Sequence, residues 1–206
     1  MKTLIKVAVC GTVLWTTCAV AAEGKDWSRY YYEIDYSSMM VKASNANGSG
    51  TADSPALTLA VGTNVLHHEI ADINIELVGM VGLDDKTAFS YDDGKRIRAG
   101  LNAAIGVQAK AHRNFNDQFA GFVKLGVMNV TADVTNESCV ISSNCVAIAP
   151  VESATNTGLT FGLGAEYLMT KSSAITLSYS NIMRSKAAGY SKVDLSSINV
   201  GFRSQF

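Results

Sequence analysis

Long apolar runs are missing from this chain once its first 22 residues are set aside. The longest, residues 77–83, is broken by Gly79 and Gly82, whereas a membrane-spanning helix needs about 18–20 consecutive apolar residues. Charge is also scarce, since only 17% of the residues are charged and the net charge is −1. These shortages exclude a helical membrane protein and the basic patch that nucleic-acid binding requires. Any membrane embedding must therefore use strands.

Cysteine is rare as well. Two of the four cysteines, Cys10 and Cys18, lie in the N-terminal segment, which leaves Cys139 and Cys145 for the rest of the chain. In an oxidising compartment this pair is expected to form one disulfide that closes a short loop. A metal site is not expected, because two thiolates without a third ligand nearby do not bind a metal.

Only three histidines are available for acid–base chemistry. His67, His68 and His112 all fall in segments that we expect to be short, solvated turns at one end of the molecule. None is placed beside a nucleophile in the sequence pattern. The sequence therefore predicts no enzymatic activity and no cofactor.

The N-terminus has the pattern of an export signal. Lys2 and Lys6 precede the apolar run 7–15, and small residues follow at 19–22. This pattern predicts a signal peptide over residues 1–22, cleaved after Ala22 and followed by one domain over 23–206, with cleavage after Ala21 as the alternative. The alternatives are an uncleaved membrane anchor and a lipoprotein acylated at Cys18, for which residues 15–17 are a poor match.

The rest of the chain is dominated by a period of two, as the segment 193–206 shows. Its alternate positions are apolar at Ile198, Val200, Phe202 and Phe206, and polar or small at Ser197, Asn199, Gly201 and Arg203. This alternation is typical of a β-strand with two unlike faces. A helix would mix the two sets.

Seven earlier segments repeat the pattern, so eight strands are expected. Their connections alternate between long and short, and both prolines, Pro55 and Pro150, fall in the long ones. An even number of strands with this alternation predicts an all-β fold, an eight-stranded antiparallel up-and-down barrel. The predicted strands cover residues 29–43, 56–65, 72–83, 96–111, 118–131, 158–169, 174–184 and 193–206.

The composition of the two strand faces indicates which one points outward. The polar face is rich in Gly, Ser, Thr, Asn and Ala, which suits the narrow interior of eight strands. The apolar face is almost free of charge, as hydrocarbon demands. We therefore expect a transmembrane β-barrel, with a soluble lipocalin-like barrel as the alternative. Five aromatic residues near the short-turn end could form its interfacial girdle: Tyr30, Phe119, Tyr167, Phe202 and Phe206.

The chain resembles the small eight-stranded outer-membrane proteins, namely the OmpA transmembrane domain, OmpX and the opacity-type proteins. The resemblance rests on GLGAEYLMTKSSAITLSYS and on the terminal INVGFRSQF. It implies an outer-membrane location in contact with lipid and lipopolysaccharide. It also implies that Phe202 and Phe206 belong to a signal read by the barrel-assembly machinery. Similar barrels include the accessory colonisation factors of vibrios.

Charged residues on the inward face are the only polar constellation. Expected pairs are Glu33 with Arg203 on adjoining strands, and Lys124 with Glu166. Glu76 is expected to meet Arg98 or Lys110. Such pairs fit a plug that fixes the strand register, because an unpaired charge in a narrow lumen is costly. The alternative is a gate on a narrow ion path.

These features predict a monomeric, non-enzymatic surface protein that contributes to adhesion, host colonisation or envelope integrity. The loop 132–157, which holds the cysteine pair, is the expected contact surface for a host ligand. The alternatives are a narrow pore gated by the interior charges and, as a lesser one, a barrel enzyme that modifies lipid A.

Overall fold

The computed structural model describes residues 30–45, 48–84, 86–90, 95–141, 144–147, 152–185 and 192–206. The predicted signal peptide, the residue pair 142–143 and Pro150 lie outside these ranges. All regular elements of the described residues are strands, and no helix among them is long and apolar enough to cross a membrane. In chain order they are β1 (Tyr30–Asn45), β2 (Gly48–Leu66), β3 (Asp72–Gly82), β4 (Lys86–Ser90), β5 (Lys95–Asn114), β6 (Phe119–Ile141), β7 (Asn144–Ala147), β8 (Glu152–Leu168), β9 (Ser173–Ser185) and β10 (Lys192–Gln205).

Eight of these strands form a closed ring. Each pairs antiparallel with both neighbours in the order β1, β2, β3, β5, β6, β8, β9, β10, and β10 returns to β1. The short strands β4 and β7 lie beyond the ring, where, within the described ranges, β4 pairs with β5 alone and β7 with β6 alone. This arrangement confirms the predicted eight-stranded up-and-down barrel. Closure satisfies the backbone groups of every ring strand, which hydrocarbon requires.

Two segments that we expected to be loops are largely strand. The polar stretch before residue 56 belongs to β2, which begins at Gly48, and the segment 132–157 holds the end of β6, all of β7 and the start of β8. Where a strand extends beyond the membrane, water contacts both of its faces. Apolar and polar residues then no longer need to alternate along the sequence. Gly, Ser and Asn in such strands are then easily mistaken for loop residues.

Pro55 therefore lies inside a strand, contrary to expectation. The Pro55 carbonyl accepts a hydrogen bond from the backbone N–H of Leu83, 2.8 Å away. The hydrogen-bonding edge of Pro55 therefore faces the end of β3. Strand β3 ends at Gly82, which pairs with Ala56. A missing N–H at Pro55 consequently breaks no bond with β1, in agreement with the rule that proline occupies strand positions with a free side.

The two faces of the barrel wall are sorted as in a membrane protein. Large apolar side chains on the outside are exposed, among them Leu77, Ile105, Leu125, Leu159 and Val200. The inward positions hold the buried charged and polar residues, together with a cluster of buried apolar ones. A soluble lipocalin-like barrel would have the reverse arrangement, so the prediction of a transmembrane barrel is confirmed.

Aromatic side chains ring the end at which β1 begins and β10 ends. Phe119 lies 5.3 Å from Tyr167 between ring centroids, and Phe206 lies 6.2 Å from Tyr32. Phe202 on the same wall is partly exposed. Aromatic rings favour the interface between lipid and water, so these positions support the girdle, which stays a prediction.

Candidate functional site: the filled lumen

The lumen contains two layers of unlike chemistry. Charged side chains fill the half of the lumen that lies near Tyr31 and Arg203, at the end where β1 begins and β10 ends. An apolar cluster fills the other half: Met39, Val41, Ala56, Ala60, Val78, Met80, Leu101, Ala104, Met128, Val130, Ile182 and Leu195. The space between the layers is a cavity of about 30 Å³, on the scale of single water molecules. The barrel is thus a packed wall around a filled interior.

Glu33 on β1 accepts hydrogen bonds from two lysines. Lys110 Nζ on β5 and Lys124 Nζ on β6 each donate to a different carboxylate oxygen of Glu33 at 2.8 Å. Glu33 and Lys110 are completely buried, and Lys124 is nearly so. The strands next to β1 are β2 and β10. Because neither lysine lies on them, both side chains must reach across the lumen.

Glu76 on β3 is fixed by neutral donors. Tyr31 Oη and Gln108 Nε2 each donate to one of its carboxylate oxygens at 2.6 Å. Lys124 and Lys110 add ion pairs at 3.4 Å and 3.7 Å. With both oxygens occupied, this carboxylate has little freedom to rotate.

Glu166 on β8 is surrounded by three basic groups. Lys110 Nζ lies 2.7 Å, His112 Nε2 3.2 Å and an Arg203 guanidinium nitrogen 3.3 Å from its carboxylate oxygens. Two of the three groups, Lys110 and Arg203, are cations, so ion pairing holds Glu166 in place.

Aromatic faces complete the charged layer. Lys110 Nζ lies 4.2 Å and Lys124 Nζ 5.1 Å from the centre of the Phe122 ring. The Arg203 guanidinium lies 5.3 Å from the centre of the Tyr31 ring. These separations fall within the range of about 6 Å for cation–π attraction, so the rings stabilise cations and exclude water at once.

The charge count of the layer is nearly balanced. Glu33, Glu76, Glu166 and Asp35, which accepts a hydrogen bond from Thr176 Oγ1 at 3.1 Å, supply four carboxyl groups. They face the cationic groups Lys110, Lys124 and Arg203 and one imidazole, His112. Four carboxyl groups thus face four basic groups across the lumen.

The predicted charged residues are brought together, but with other partners. Glu33 and Arg203 are register neighbours, yet the cations bound to Glu33 are Lys110 and Lys124, and Arg203 approaches Glu166. Lys124 likewise pairs with Glu33 and Glu76 instead of Glu166. Long side chains in a narrow lumen reach past the adjoining strand, which a ladder argument does not capture.

Of the two partners expected for Glu76, the structure supplies Lys110. The backbone of Arg98 lies in the upper part of β5, paired with Thr135, and its side chain is outside the described residues. The sequence indicated Lys110 only as one of two partners for Glu76, although Lys110 contacts three carboxylates. Its inward position on β5 was visible in the sequence, but its central place required the barrel cross-section.

His112 is the clearest error of the sequence analysis. It was expected in a solvated turn, but β5 continues to Asn114 and His112 points inward, 6% exposed. His67 and His68 are exposed in the connection between β2 and β3, as predicted, and His67 contacts Asp72. Alternation along β5 places His112 on the same face as Gln108 and Lys110, and that signal could have identified it.

Cys139 and Cys145 are register partners on β6 and β7. Directly opposed residues of antiparallel strands have Cα atoms about 4.5–5.5 Å apart, within the range of about 4.4–6.8 Å that a disulfide spans. Their side chains lie outside the described residues, so the disulfide stays a prediction supported by the backbone register.

The closed wall, the lipid-facing exterior and the filled lumen define a transmembrane β-barrel. Residues 10–206 match the family "outer membrane protein beta-barrel domain", and the chain belongs to this family. Family membership supports an outer-membrane location. No curated protein matches the chain.

The solved structures that share its fold include two with TM-scores above 0.5. The attachment invasion locus protein Ail of Yersinia pestis is 13% identical, with 87% of this chain and 99% of that chain covered and a TM-score of 0.54. Neisserial surface protein A is 15% identical, with 86% and 97% covered and a TM-score of 0.56. At these identities the likeness shows the fold alone.

Proposed function

We propose that this chain is a monomeric, non-enzymatic surface protein of the outer membrane whose projecting hairpins bind ligands outside the cell. Strand length is the observation that supports this function most. On β6 the exposed apolar side chains end at Val127 and Asn129 follows, yet the strand continues to Ile141. At about 3.3 Å per residue and a tilt of about 40°, this part rises on the order of 30 Å above the membrane.

The projecting part is held by its own pairing. β6 pairs with β5 as far as Ser138 and with β8 as far as Val134, and β7 continues the ladder on β6. A ligand would thus meet preformed strands, which lowers the entropy lost on binding. The structural relatives are named as an attachment invasion locus protein and a surface protein, and those names are compatible with a role in adhesion.

The test is a shortened hairpin. Val134 and Glu152 are register partners, so replacing residues 135–151 by Asn-Gly closes β6 and β8 with a two-residue turn. In a non-adherent host strain, attachment to epithelial cells and matrix proteins should fall at least tenfold, while the heat-dependent gel shift of the folded barrel remains. Unchanged attachment with a new sensitivity to detergents would contradict adhesion and indicate a role in envelope integrity.

Conductance separates this function from the alternative of a narrow pore. Because charged and apolar layers fill the lumen, purified wild-type protein should give no steady channel in planar bilayers. Lys124→Ala should lower the free energy of unfolding of the barrel, while the bilayer current should change little. A wild-type barrel with a stable open state would show that the interior charges form a gate and not a plug.

The cysteine pair gives a prediction about the same hairpin. Intact mass of the folded, alkylated protein under non-reducing conditions should show no modification of Cys139 or Cys145. After reduction both should be alkylated, and the hairpin 135–151 should become more sensitive to protease. Two alkylated cysteines without reduction would reject the disulfide.

A further inference from the structure

Gly79 occupies a lipid-facing position where the structure gives no steric reason for glycine. A Cβ built there would meet no atom within 4 Å, whereas at Gly62, Gly106 and Gly164 it would lie 2.4 Å from a neighbouring atom. The backbone of Gly79 is ordinary extended strand. Glycine weakens strands and often marks the close approach of a ligand, so the missing side chain needs another explanation.

The absence of a side chain creates a groove on the outer wall. Gly79 pairs with Leu59 on one side and with Ile105 on the other. Ala103, two residues before Ile105 on β5, also faces outward. Together with Leu77, these residues border a space of about 270 Å³ with an almost entirely apolar lining. The groove opens to the membrane because its walls are the exposed face of the barrel.

One end of the groove is polar. Asn129 and Thr131 of β6 line it and are the register partners of Ile105 and Ala103. Asn129 Nδ2 donates to Thr157 at 3.1 Å, and the hydroxyls of Thr131 and Thr155 lie 3.0 Å apart. This polar row follows directly after the apolar run of β6, so it marks the outer edge of the hydrocarbon layer.

We propose that the groove holds one acyl chain of an outer-leaflet lipopolysaccharide molecule, with the ester or amide linkage of that chain at Asn129 and Thr131. A groove that is apolar along its length and has amide and hydroxyl groups at the headgroup level matches an acyl chain and its linkage. Among the described residues each of these side chains makes one side-chain hydrogen bond, and each has further hydrogen-bonding positions. The inference rests on the outer-membrane location and not on adhesion.

The experiment fills the groove. Gly79→Leu adds an apolar side chain without a Cβ clash, so the barrel should fold normally. Wild-type protein extracted from outer membranes in mild detergent should hold one lipopolysaccharide molecule by native mass spectrometry, and Gly79→Leu should reduce the bound fraction at least tenfold. Asn129→Leu should reduce it severalfold. Ala165→Leu, which places the same leucine side chain at an exposed position of β8, is the control and should match wild type.

Two outcomes would overturn the proposal. Equal retention of lipopolysaccharide by wild type and Gly79→Leu would show that the groove does not hold the acyl chain. A wild-type dimer that dissociates in Gly79→Leu would show instead that a second copy of the chain fills it. Either result leaves the hairpin-shortening experiment unaffected, so failure of the lipid site and failure of the proposed function are distinguishable.

Discussion

Replacing Glu33 with glutamine should lower the free energy of unfolding by about 3–5 kcal/mol, the range observed when one partner of a buried ion pair is removed. The carboxylate accepts hydrogen bonds from Lys110 and Lys124, both at 2.8 Å, inside a layer shielded from water. Glutamine keeps the size of the side chain and removes its charge. Among the described residues, Lys124 would then keep an ion pair with Glu76 alone, and Lys110 would keep Glu76 and Glu166.

The measurement is urea-induced unfolding of the barrel in lipid vesicles, followed by circular dichroism and by gel mobility without boiling. Glu69→Gln makes the same chemical change in an exposed connection and should alter stability by less than about 0.5 kcal/mol. Adding Lys124→Met to Glu33→Gln should restore part of the loss, because it removes one of the stranded charges. Equal stability of the Glu33 and Glu69 variants would show that the charged layer does not hold the barrel together.

The same layer shows where sequence analysis succeeds and where it stops. Alternation identified the inward face, because a strand in a membrane wall must sort polar from apolar residues at every second position. The charged residues Glu33, Lys124, Glu166 and Arg203 were placed in the lumen on that basis, and all four are buried. Their partners were not predictable, since contacts across the lumen depend on the diameter of the barrel and on side-chain length.

The apolar layer was missed for a related reason. Met39, Met40 and Val41 are consecutive, so the sequence shows no alternation at the upper end of β1. In the structure Met39 and Val41 point into the lumen, and Met80 and Met128 meet them from β3 and β6. Unbranched methionine suits such a gap, because it adapts to irregular space. The lumen is thus closed by charge at one level and by close packing at another.

A lipid-facing arginine should reveal directly which side of the wall meets the membrane. Leu125 is 63% exposed and lies near the middle of the apolar run on β6. Leu125→Arg should therefore destabilise the barrel by about 2–4 kcal/mol in vesicles, the range for an arginine near the bilayer midplane, whereas Asn129→Arg at the outer edge should lose only about 0–1 kcal/mol.

Urea unfolding of both variants in the same vesicles measures this difference. The contrast between the two positions matters more than either value, because both variants add the same side chain to the same strand. If the outer face met water, an arginine at Leu125 would cost no more than one at Asn129, since surface substitutions usually change stability by about 0.5 kcal/mol or less. Equal effects at the two positions would therefore contradict a membrane-embedded wall, and with it both the surface role of the hairpins and the lipid groove at Gly79.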